Sequence, residues 1–251
     1  MEGARFVHVL ARRADLRYPF PKDFDARLEG QTVRAVSRRA KYLLVELSSG
    51  EVLMMHLGMS GSFRVERDAD LEIHDHVVFE MSSGRTVIFN DPRRFGFMKI
   101  IEGGEAGRNW AAGSIGPEPL DRRFTAAALA KALQGKKASL KAALLDQRVV
   151  AGLGNIYVSE ALHRARLSPK RKASTIATRG GAPTPRAEAL VAAIKMTLRD
   201  AIAHSHRPSG DDRFLVYDHS GERCPRRACP GAITRIVQGG RSTFFCAVCQ
   251  Q

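Results

Sequence analysis

The sequence predicts an α+β protein: a β-sandwich with a flanking helix, then a helical region, then a cysteine-bearing β-hairpin. Three observations lead to this fold class. Strand-length apolar runs fill residues 1–105, alanine-rich and leucine-rich stretches follow residue 120, and all four cysteines lie in the last 28 residues. A chain of 251 residues, 44% of them hydrophobic, is long enough to bury one large or two medium cores.

The first half contains two predicted hairpins. Residues 42–47 and 52–56 flank one Ser-Ser-Gly turn, and residues 76–81 and 86–89 flank another. Residues 32–36 alternate between apolar and polar side chains, as a half-buried strand does. Two packed sheets bury the apolar faces of such strands, so residues 1–105 are expected to form a β-sandwich domain.

The second half contains predicted helices. Residues 106–120 are rich in glycine and proline, which is typical of a linker. A helical domain is expected over 121–213 and a separate hairpin domain over 214–251. Thr125 can cap a first helix that runs to Gln134. Three further helices are predicted, over residues 140–145, 155–164 and 186–203.

The cysteines form two close pairs, Cys224 with Cys229 and Cys246 with Cys249, separated by sixteen residues. The residues between the pairs predict a strand, a Gly-Gly turn and a second strand. This spacing suits one tetrahedral Zn²⁺ held by four thiolates, which is structural because no position stays open for water. The alternative is two disulfides in a secreted protein, but no signal-peptide pattern opens the sequence.

The chain is strongly basic, with 40 Lys and Arg against 26 acidic residues and a net charge of +14. A solvated surface is one explanation, and a phosphate-binding surface is the other. The zinc hairpin favours nucleic acid, although charge alone does not separate DNA from RNA or an anionic membrane. No apolar run is long enough to cross a bilayer, so no membrane partner is expected, and reduced cysteines fit a cytoplasmic location.

A glycine-rich turn joins two predicted helices between Gln147 and Tyr157. Gly152 and Gly154 allow positive φ and close backbone approach, and Asn155 can cap the helix that follows. Backbone N–H groups at a helix start can bind phosphate. Most glycine pairs are ordinary turns, but this one lies among basic helices and upstream of the hairpin.

These motifs resemble the formamidopyrimidine-DNA glycosylase family, to which endonuclease VIII is closely related. The resemblance covers 1–251 in order, and its motifs are Arg-Arg-Ala-Lys-Tyr-Leu-Leu (38–44), His-Leu-Gly-Met-Ser-Gly (56–61), His-Asp-His (74–76), Asp-Pro-Arg-Arg-Phe-Gly (91–96), Leu-Leu-Asp-Gln-Arg-Val-Val-Ala-Gly-Leu-Gly-Asn-Ile-Tyr (144–157) and Arg-Ser-Thr-Phe-Phe-Cys (241–246). It implies a helix-two-turn-helix within 121–213 and a zinc-finger hairpin after it.

The resemblance also implies an activity and a partner. The family excises oxidised purines (formamidopyrimidine, 8-oxoguanine) from double-stranded DNA and nicks the abasic strand by β,δ-elimination, in base excision repair. A secondary amine attacks C1′ of the flipped lesion nucleotide, and the Schiff base that forms permits elimination. The expected protein is a bacterial-type, nucleoid-associated cytoplasmic monomer without an organic cofactor, with DNA in a basic cleft between its domains.

Several residues take a role by the same resemblance. Lys41 is assigned to elimination and phosphate contact, and Arg241 to phosphate contact and the second elimination. Arg93, Phe95 and Met59 are expected to enter the duplex and fill the gap that the flipped base leaves. Backbone and duplex contacts are further assigned to four residues: His74, Lys137, Lys141 and Asn155.

Taken alone, some of these residues have simpler explanations. Lys41 can be a surface lysine at a strand edge. His74 can end a strand without a role, or pair with His76 on a metal. Met59 can be a core methionine. It is the surrounding motifs that favour the DNA-binding roles.

Two segments depart from the family pattern. The family opens with Met-Pro-Glu, whose proline is the nucleophile and whose glutamate is the partner acid, whereas this sequence opens Met-Glu-Gly-Ala-Arg and aligns inside the family's first domain. Glu2 is therefore not expected to be the catalytic acid, Pro19 and Pro21 are internal imides, and an in-frame Met-Pro-Glu start is expected upstream. The lesion-capping loop, at residues 203–213, is expected to be shortened.

Two alternatives to the glycosylase remain open from the sequence. One is a catalytically impaired family member that binds damaged DNA without excising bases. The other is a zinc-ribbon protein that binds RNA or the ribosome. Exposed aromatic platforms are usual in RNA binders, and aromatic residues make up only 7% of this chain.

Overall fold

Two four-stranded antiparallel sheets form the first half of the protein. The computed structural model describes residues 1–104, 115–204 and 214–251. One sheet has the order β1 (Phe6–Ala11), β6 (Asp75–Met81), β7 (Thr86–Asn90) and β5 (Ser62–Glu66). The other has the order β2 (Val33–Arg39), β3 (Tyr42–Leu47), β4 (Val52–His56) and β8 (Phe97–Ile101). Both predicted hairpins are confirmed, and β1, β5 and β8 add three strands that the sequence did not predict.

The apolar faces of the two sheets enclose one core. Phe6, Val45, Leu53 and Phe79 are fully buried in it, and the rings of Phe6 and Phe79 pack edge to face at 5.5 Å. The predicted flanking helix is α1 (Phe24–Leu28), which buries its two terminal residues in the same core.

Asp75 anchors a buried polar network at one end of the first sheet. Its side chain is 1% exposed and accepts hydrogen bonds of 2.6 Å from both terminal nitrogens of Arg64. Asn90 Nδ2 and the Glu72 N–H donate to it as well, at 2.8 and 2.7 Å. Burial by itself raises the pKa of Asp75, but the bonds from Arg64 and Asn90 outweigh it and lower the pKa to about 2.

We expect Asp75→Asn to lower the free energy of unfolding at pH 7 by about 3 kcal/mol, the cost of breaking a buried ion pair. Because the folded-state pKa is lowered, the contribution is complete above the ordinary pKa of 3.8 and is lost as pH falls toward 2. Urea unfolding at pH 7 and pH 3 measures both effects. The control is Glu66→Gln, since Glu66 pairs with the same arginine at 3.0 Å but is 37% exposed. Equal losses in the two variants would contradict the network.

The second half is helical and ends in a hairpin. Its helices are α2 (Ala126–Leu133), α3 (Leu140–Leu145), α4 (Asn155–Arg164) and α5 (Pro185–Ala203), with a 3₁₀ turn at Ala173–Ile176, and its strands are β9 (Ile233–Gln238) and β10 (Arg241–Cys246). Thr125 Oγ1 accepts from the Ala128 N–H at 3.1 Å, which confirms the predicted cap. All four predicted helices and both strands of the hairpin are confirmed.

The chain divides into two compact units, Met1–Gly113 and Ser114–Gln251. The boundary falls inside the predicted linker 106–120, most of which lies outside the described residues. The hairpin, predicted as a separate domain over 214–251, belongs to the same unit as the helices. Among the helices described, none has the length and apolar character needed to span a membrane.

Candidate functional site

One end of the sandwich gathers five of the predicted site residues, which are Lys41, Met59, His74, Arg93 and Phe95. Tyr42, His56 and Phe97 are direct partners across β3, β4 and β8, so they form a row at the end of that sheet. Lys41 precedes the first member of the row, Met59 follows the second closely, and Phe95 precedes the third. Because neighbouring strands lie about 4.8 Å apart, this register sets Lys41 within roughly 10 Å of the segment that carries Phe95.

Two loops cross between the sheets at this end: residues 57–61 link β4 to β5, and residues 91–96 link β7 to β8. Asp91 joins them, since its fully buried carboxylate accepts from Ser60 Oγ at 2.5 Å and from the Gly96 N–H at 2.7 Å. A Cβ on Gly58, at φ +66°, would lie 2.4 Å from the backbone of Phe95, so only glycine permits this approach. The two loops therefore form one rigid support.

Met59, Arg93 and Phe95 project from this support, and we call them the wedge residues. Met59 is 71% exposed and Phe95 is 40% exposed, so neither belongs to the core. The Arg93 guanidinium lies over the Phe95 ring at 4.8 Å from its centre, a cation–π contact. His74 is exposed beside them, and its carbonyl accepts from the Asp91 N–H at 3.0 Å. The three wedge residues are exposed, as entry into a duplex requires, and their role and the DNA contact of His74 stay predictions.

His56 is a member of this site to which the sequence motif gave no role. Its Nδ1 accepts from the Gly58 N–H at 3.0 Å, and its ring stacks on Phe97 at 5.3 Å. Burial lowers the pKa of His56, and the charges of Lys41 and Arg17 lower it further, so the ring is neutral at pH 7. Its place in the His-Leu-Gly-Met-Ser-Gly motif was the signal that could have found it.

Glu2 lies elsewhere, as expected. Its carboxylate accepts from the Val36 N–H on β2 at 2.6 Å. From Val36, β2 runs on for three residues, roughly 10 Å, to Arg39, and Lys41 lies in the turn that follows. This distance supports the prediction that Glu2 is not the acid partner of the site.

The glycine-rich turn of the second unit is held by Gln147. The side chain of this residue donates to the carbonyls of Leu145 and Leu153, at 3.2 and 3.1 Å, and accepts from the Gly152 N–H at 2.8 Å. Asn155 is the first residue of α4 and not its cap, because Gly154 takes the cap position. Its side-chain nitrogen donates to the Ser242 carbonyl at 2.9 Å, next to Arg241.

Lys141 corrects a prediction. It is fully buried, and its ammonium donates to the Ser242 carbonyl at 2.9 Å and to Thr243 Oγ1 at 2.5 Å. An ammonium so placed cannot clamp a DNA backbone; it fixes β10 on α3 instead. Lys137 is exposed and precedes α3. Asn155 and Lys141 thus meet at the residue beside Arg241, which is itself exposed at the hairpin turn.

The pH dependence of stability tests whether the ammonium of Lys141 is buried. Burial, together with the charge of Arg241, lowers the pKa of Lys141 from 10.5 to about 8. Between these two values the unfolded chain holds more protons than the folded one, so stability should rise with pH over that window. We expect wild type to gain up to about 3 kcal/mol relative to Lys141→Met between pH 7.5 and 10. Urea unfolding checks this, and Lys137→Met is the exposed control; parallel profiles for all three proteins would contradict it.

The four cysteines form a site that fits one structural zinc ion. Their sulfurs all lie within 4.8 Å of one another, with Cys224 and Cys249 3.8 Å apart and Cys229 and Cys246 3.6 Å apart. Zn–S bonds of about 2.3 Å in a tetrahedron set sulfurs about 3.8 Å apart, whereas a disulfide sets them about 2.0 Å apart. The disulfide alternative is therefore wrong. A Cβ on Gly231 would lie 2.7 Å from the Cys246 sulfur, so glycine leaves room for the ligand.

Helix α4 packs directly on this metal centre. Its buried Glu160 accepts from the N–H groups of Leu215, Val216 and Tyr217 at 2.8–2.9 Å, which fixes the segment that leads into the hairpin. Near its end, His163 lies 3.5 Å from the Cys224 sulfur. Burial lowers the pKa of His163 to about 4, helped by the charges of Arg226 and Arg164.

Comparisons with known proteins agree with this architecture. Three family models match: the formamidopyrimidine-DNA glycosylase N-terminal domain over 1–98, the H2TH domain of the same enzyme over 115–210, and the zinc finger found in FPG and IleRS over 221–251. Formamidopyrimidine-DNA glycosylases of a Bradyrhizobium species and of Rhodopseudomonas palustris are each 56% identical over all of this chain and 94% of their own length.

Solved structures give the same result. The Lactococcus lactis glycosylase bound noncovalently to DNA with an AP site has a TM-score of 0.86 at 30% identity, and it matches 100% of this chain and 94% of its own. A two-sheet sandwich followed by a helix-two-turn-helix and a zinc hairpin defines a class of DNA repair glycosylases. The chain belongs to the formamidopyrimidine-DNA glycosylase family.

This chain is shorter than the aligned part of its relatives. The alignment with the Bradyrhizobium relative extends over 276 residues, against 251 in this chain, so the relative has internal residues that this chain lacks. A shortened lesion-capping loop was predicted at 203–213, nearly all of which lies outside the described residues.

Proposed function

We propose that this protein is a DNA glycosylase and AP lyase that removes oxidised purines in base excision repair. The observation that carries the proposal is the arrangement at the end of the sandwich. Lys41 lies there beside the row of Tyr42, His56 and Phe97, and the two loops that present the wedge residues leave from the same end. Relatives of the same fold bind DNA that contains an AP site or FAPY-dG. The enzyme acts on double-stranded DNA as a monomer, in the cytoplasm at the nucleoid.

The wedge residues suit a duplex from which one base has been flipped. Phe95 and Met59 are apolar and exposed, and apolar side chains of this kind enter between base pairs and fill the space of a missing base. Arg93 has a planar donor group that can pair with the edge of the orphaned base. Its ring contact with Phe95 fixes the direction of both side chains before DNA arrives.

Lys41 suits the nicking step. Its amine can add to C1′ of an open abasic sugar and lose water, which gives a Schiff base. The Schiff base acidifies the C2′–H bond, so proton loss expels the 3′ phosphate. The neutral ring of His56 next to Lys41 brings no positive charge of its own to this step.

The second unit supplies phosphate contacts. Arg241 is exposed at the hairpin turn, where Asn155 and Lys141 hold the neighbouring carbonyl and the zinc ion holds the hairpin ends. Lys137 is a second exposed cation of this unit. We therefore assign the excess of basic residues to DNA binding. The family models that match give no support to the alternative of a zinc-ribbon protein that binds RNA or the ribosome.

Binding to a duplex with an abasic analogue tests this function. We expect Arg93→Ala to remove most of the preference for the lesion over undamaged DNA, about tenfold or more, because the orphaned base loses its partner. Arg85→Ala is the matched control, since Arg85 is an exposed arginine in the β6–β7 turn, at the opposite end of the same sheet. The proposal would be overturned if wild type bound damaged and undamaged DNA with equal affinity, or bound RNA as tightly as damaged DNA.

The salt dependence of binding tests the phosphate contacts separately. A log–log slope of several units is expected for wild type, and Arg241→Ala and Lys137→Ala should each reduce it by ~0.9. Lys141→Met should leave the slope unchanged, because its ammonium is buried. A flat slope in wild type would contradict the assignment of the basic residues to DNA.

A further inference from the structure

The last turn of α4 lies against the first pair of zinc ligands. His163 is 2% exposed, and its Nε2 is 3.5 Å from the Cys224 sulfur. Its Nδ1 is also buried and has no hydrogen-bond partner among the described residues. The sulfur is therefore the polar contact that accounts for a histidine at this buried position.

The metal decides the direction of this contact. A zinc-bound thiolate has no proton to donate, so a hydrogen bond requires that Nε2 carry the proton and donate it. Four thiolates around one Zn²⁺ leave a net charge of −2 in a largely buried site. An N–H donor to sulfur offsets part of that charge, which is the usual task of groups around a metal's ligands.

A second contact joins the cysteine pair to the end of α4. Arg226 stands between Cys224 and Cys229 in the chain, and its guanidinium donates to the carbonyl of His163 at 2.8 Å and to that of Arg164 at 3.4 Å. Carbonyls at a helix end have no partner within the helix, and this arginine adds a donor to the one that the Arg166 N–H gives to the His163 carbonyl at 3.1 Å. The cysteine pair and the helix end are thus joined twice, by sulfur to ring and by guanidinium to backbone.

We propose that His163 is a positioning residue of the zinc centre: its Nε2–H donates to the Cys224 thiolate and holds the first cysteine pair on α4. The bond lowers the charge on that sulfur, which makes it a poorer target for competing electrophiles and slows the loss of zinc. Helix α4 then links the metal centre at its end to Asn155 and the hairpin turn at its start.

Cobalt spectroscopy and zinc release test this role in the full-length chain. The variants are His163→Phe, which keeps the ring volume and removes the donor, and His163→Gln, whose amide nitrogen is as many bonds from the backbone as Nε2. Ser159→Ala is the control, because Ser159 is 1% exposed in the same helix and bonds to the Asn155 carbonyl at 3.1 Å. In each Co²⁺-substituted protein the sulfur-to-cobalt charge-transfer band is recorded, and in each zinc protein the release to a metallochromic chelator under peroxide.

We expect His163→Phe to shift the charge-transfer band to longer wavelength, since a thiolate without its hydrogen bond gives up an electron more easily. Zinc release should become roughly tenfold faster. His163→Gln should restore both values, and Ser159→Ala should change neither. An unshifted band in His163→Phe overturns the proposal, and so does faster release without a shift, because packing alone would then explain it. Zinc release that is accelerated equally by Ser159→Ala would also overturn the proposal.

Discussion

Lys41→Ala is expected to abolish borohydride trapping of the 251-residue chain on abasic DNA. The amine of Lys41 is the group at the sandwich end that can form the Schiff base, so its loss should lower the trapping rate about 100-fold or more, the scale of removing a reacting group. The assay incubates the protein with an abasic duplex and borohydride and measures the covalent complex by gel shift.

Lys99→Ala is the matched control for this experiment. Lys99 is an amine of the same sheet, and its Nζ lies 5.4 Å from the centre of the Tyr18 ring and 5.9 Å from that of Phe97, so it tests whether a nearby amine outside the Lys41 motif reacts. Full trapping by Lys41→Ala, or loss of trapping by Lys99→Ala, would show that another amine reacts. Binding of the abasic duplex should survive in both variants.

The same chain should remove 8-oxoguanine slowly. The resemblance assigns base removal to a Pro-Glu pair that directly follows the first methionine, whereas the one Pro-Glu pair in residues 1–251 is the internal Pro117-Glu118, whose proline nitrogen lies in a peptide bond. Addition of a Met-Pro-Glu segment that restores the family pattern should recover excision. Strong trapping of the 251-residue chain on an 8-oxoguanine duplex would contradict this division of roles.

Loss of zinc is expected to weaken DNA binding at least tenfold, although no cysteine need touch DNA. Structural zinc in small modules is worth about 10 kcal/mol or more, so Cys246→Ser should release the ion and loosen β10. Arg241 begins that strand and would lose its fixed direction. One charge-assisted phosphate contact is worth about 1.5–3 kcal/mol, which sets the tenfold figure.

Metal analysis and fluorescence anisotropy on an abasic duplex measure the two quantities. Arg241→Ala separates them, because it should weaken binding by a similar factor and retain one zinc per chain. Wild-type affinity in a zinc-free Cys246→Ser protein would refute the role of the hairpin. Retention of zinc by that variant would refute its four-thiolate site.

Some features of this protein were determined by the sequence alone. The zinc ligands followed from the spacing of the cysteines, and the strands β3 and β4 and the helix α4 were predicted with the bounds that the structure gives them. These features are local: a hairpin, a helix or a cysteine pair is specified by residues within a few positions of one another, whose spacing is visible in the sequence. The motifs then supplied the family.

Other features were decided only by the tertiary structure. The family resemblance assigned Lys141 to a contact with the DNA backbone, yet it bonds to Thr243, 102 positions away, and is buried. Ser60 meets Asp91 across 31 positions, and that contact makes the two loops one support for the wedge residues. Such contacts depend on which strands and helices pack together, and no periodicity records this. The sequence thus identified the candidate side chains. The tertiary structure decided which of their charges are exposed to solvent and which are buried and stabilise neighbouring residues.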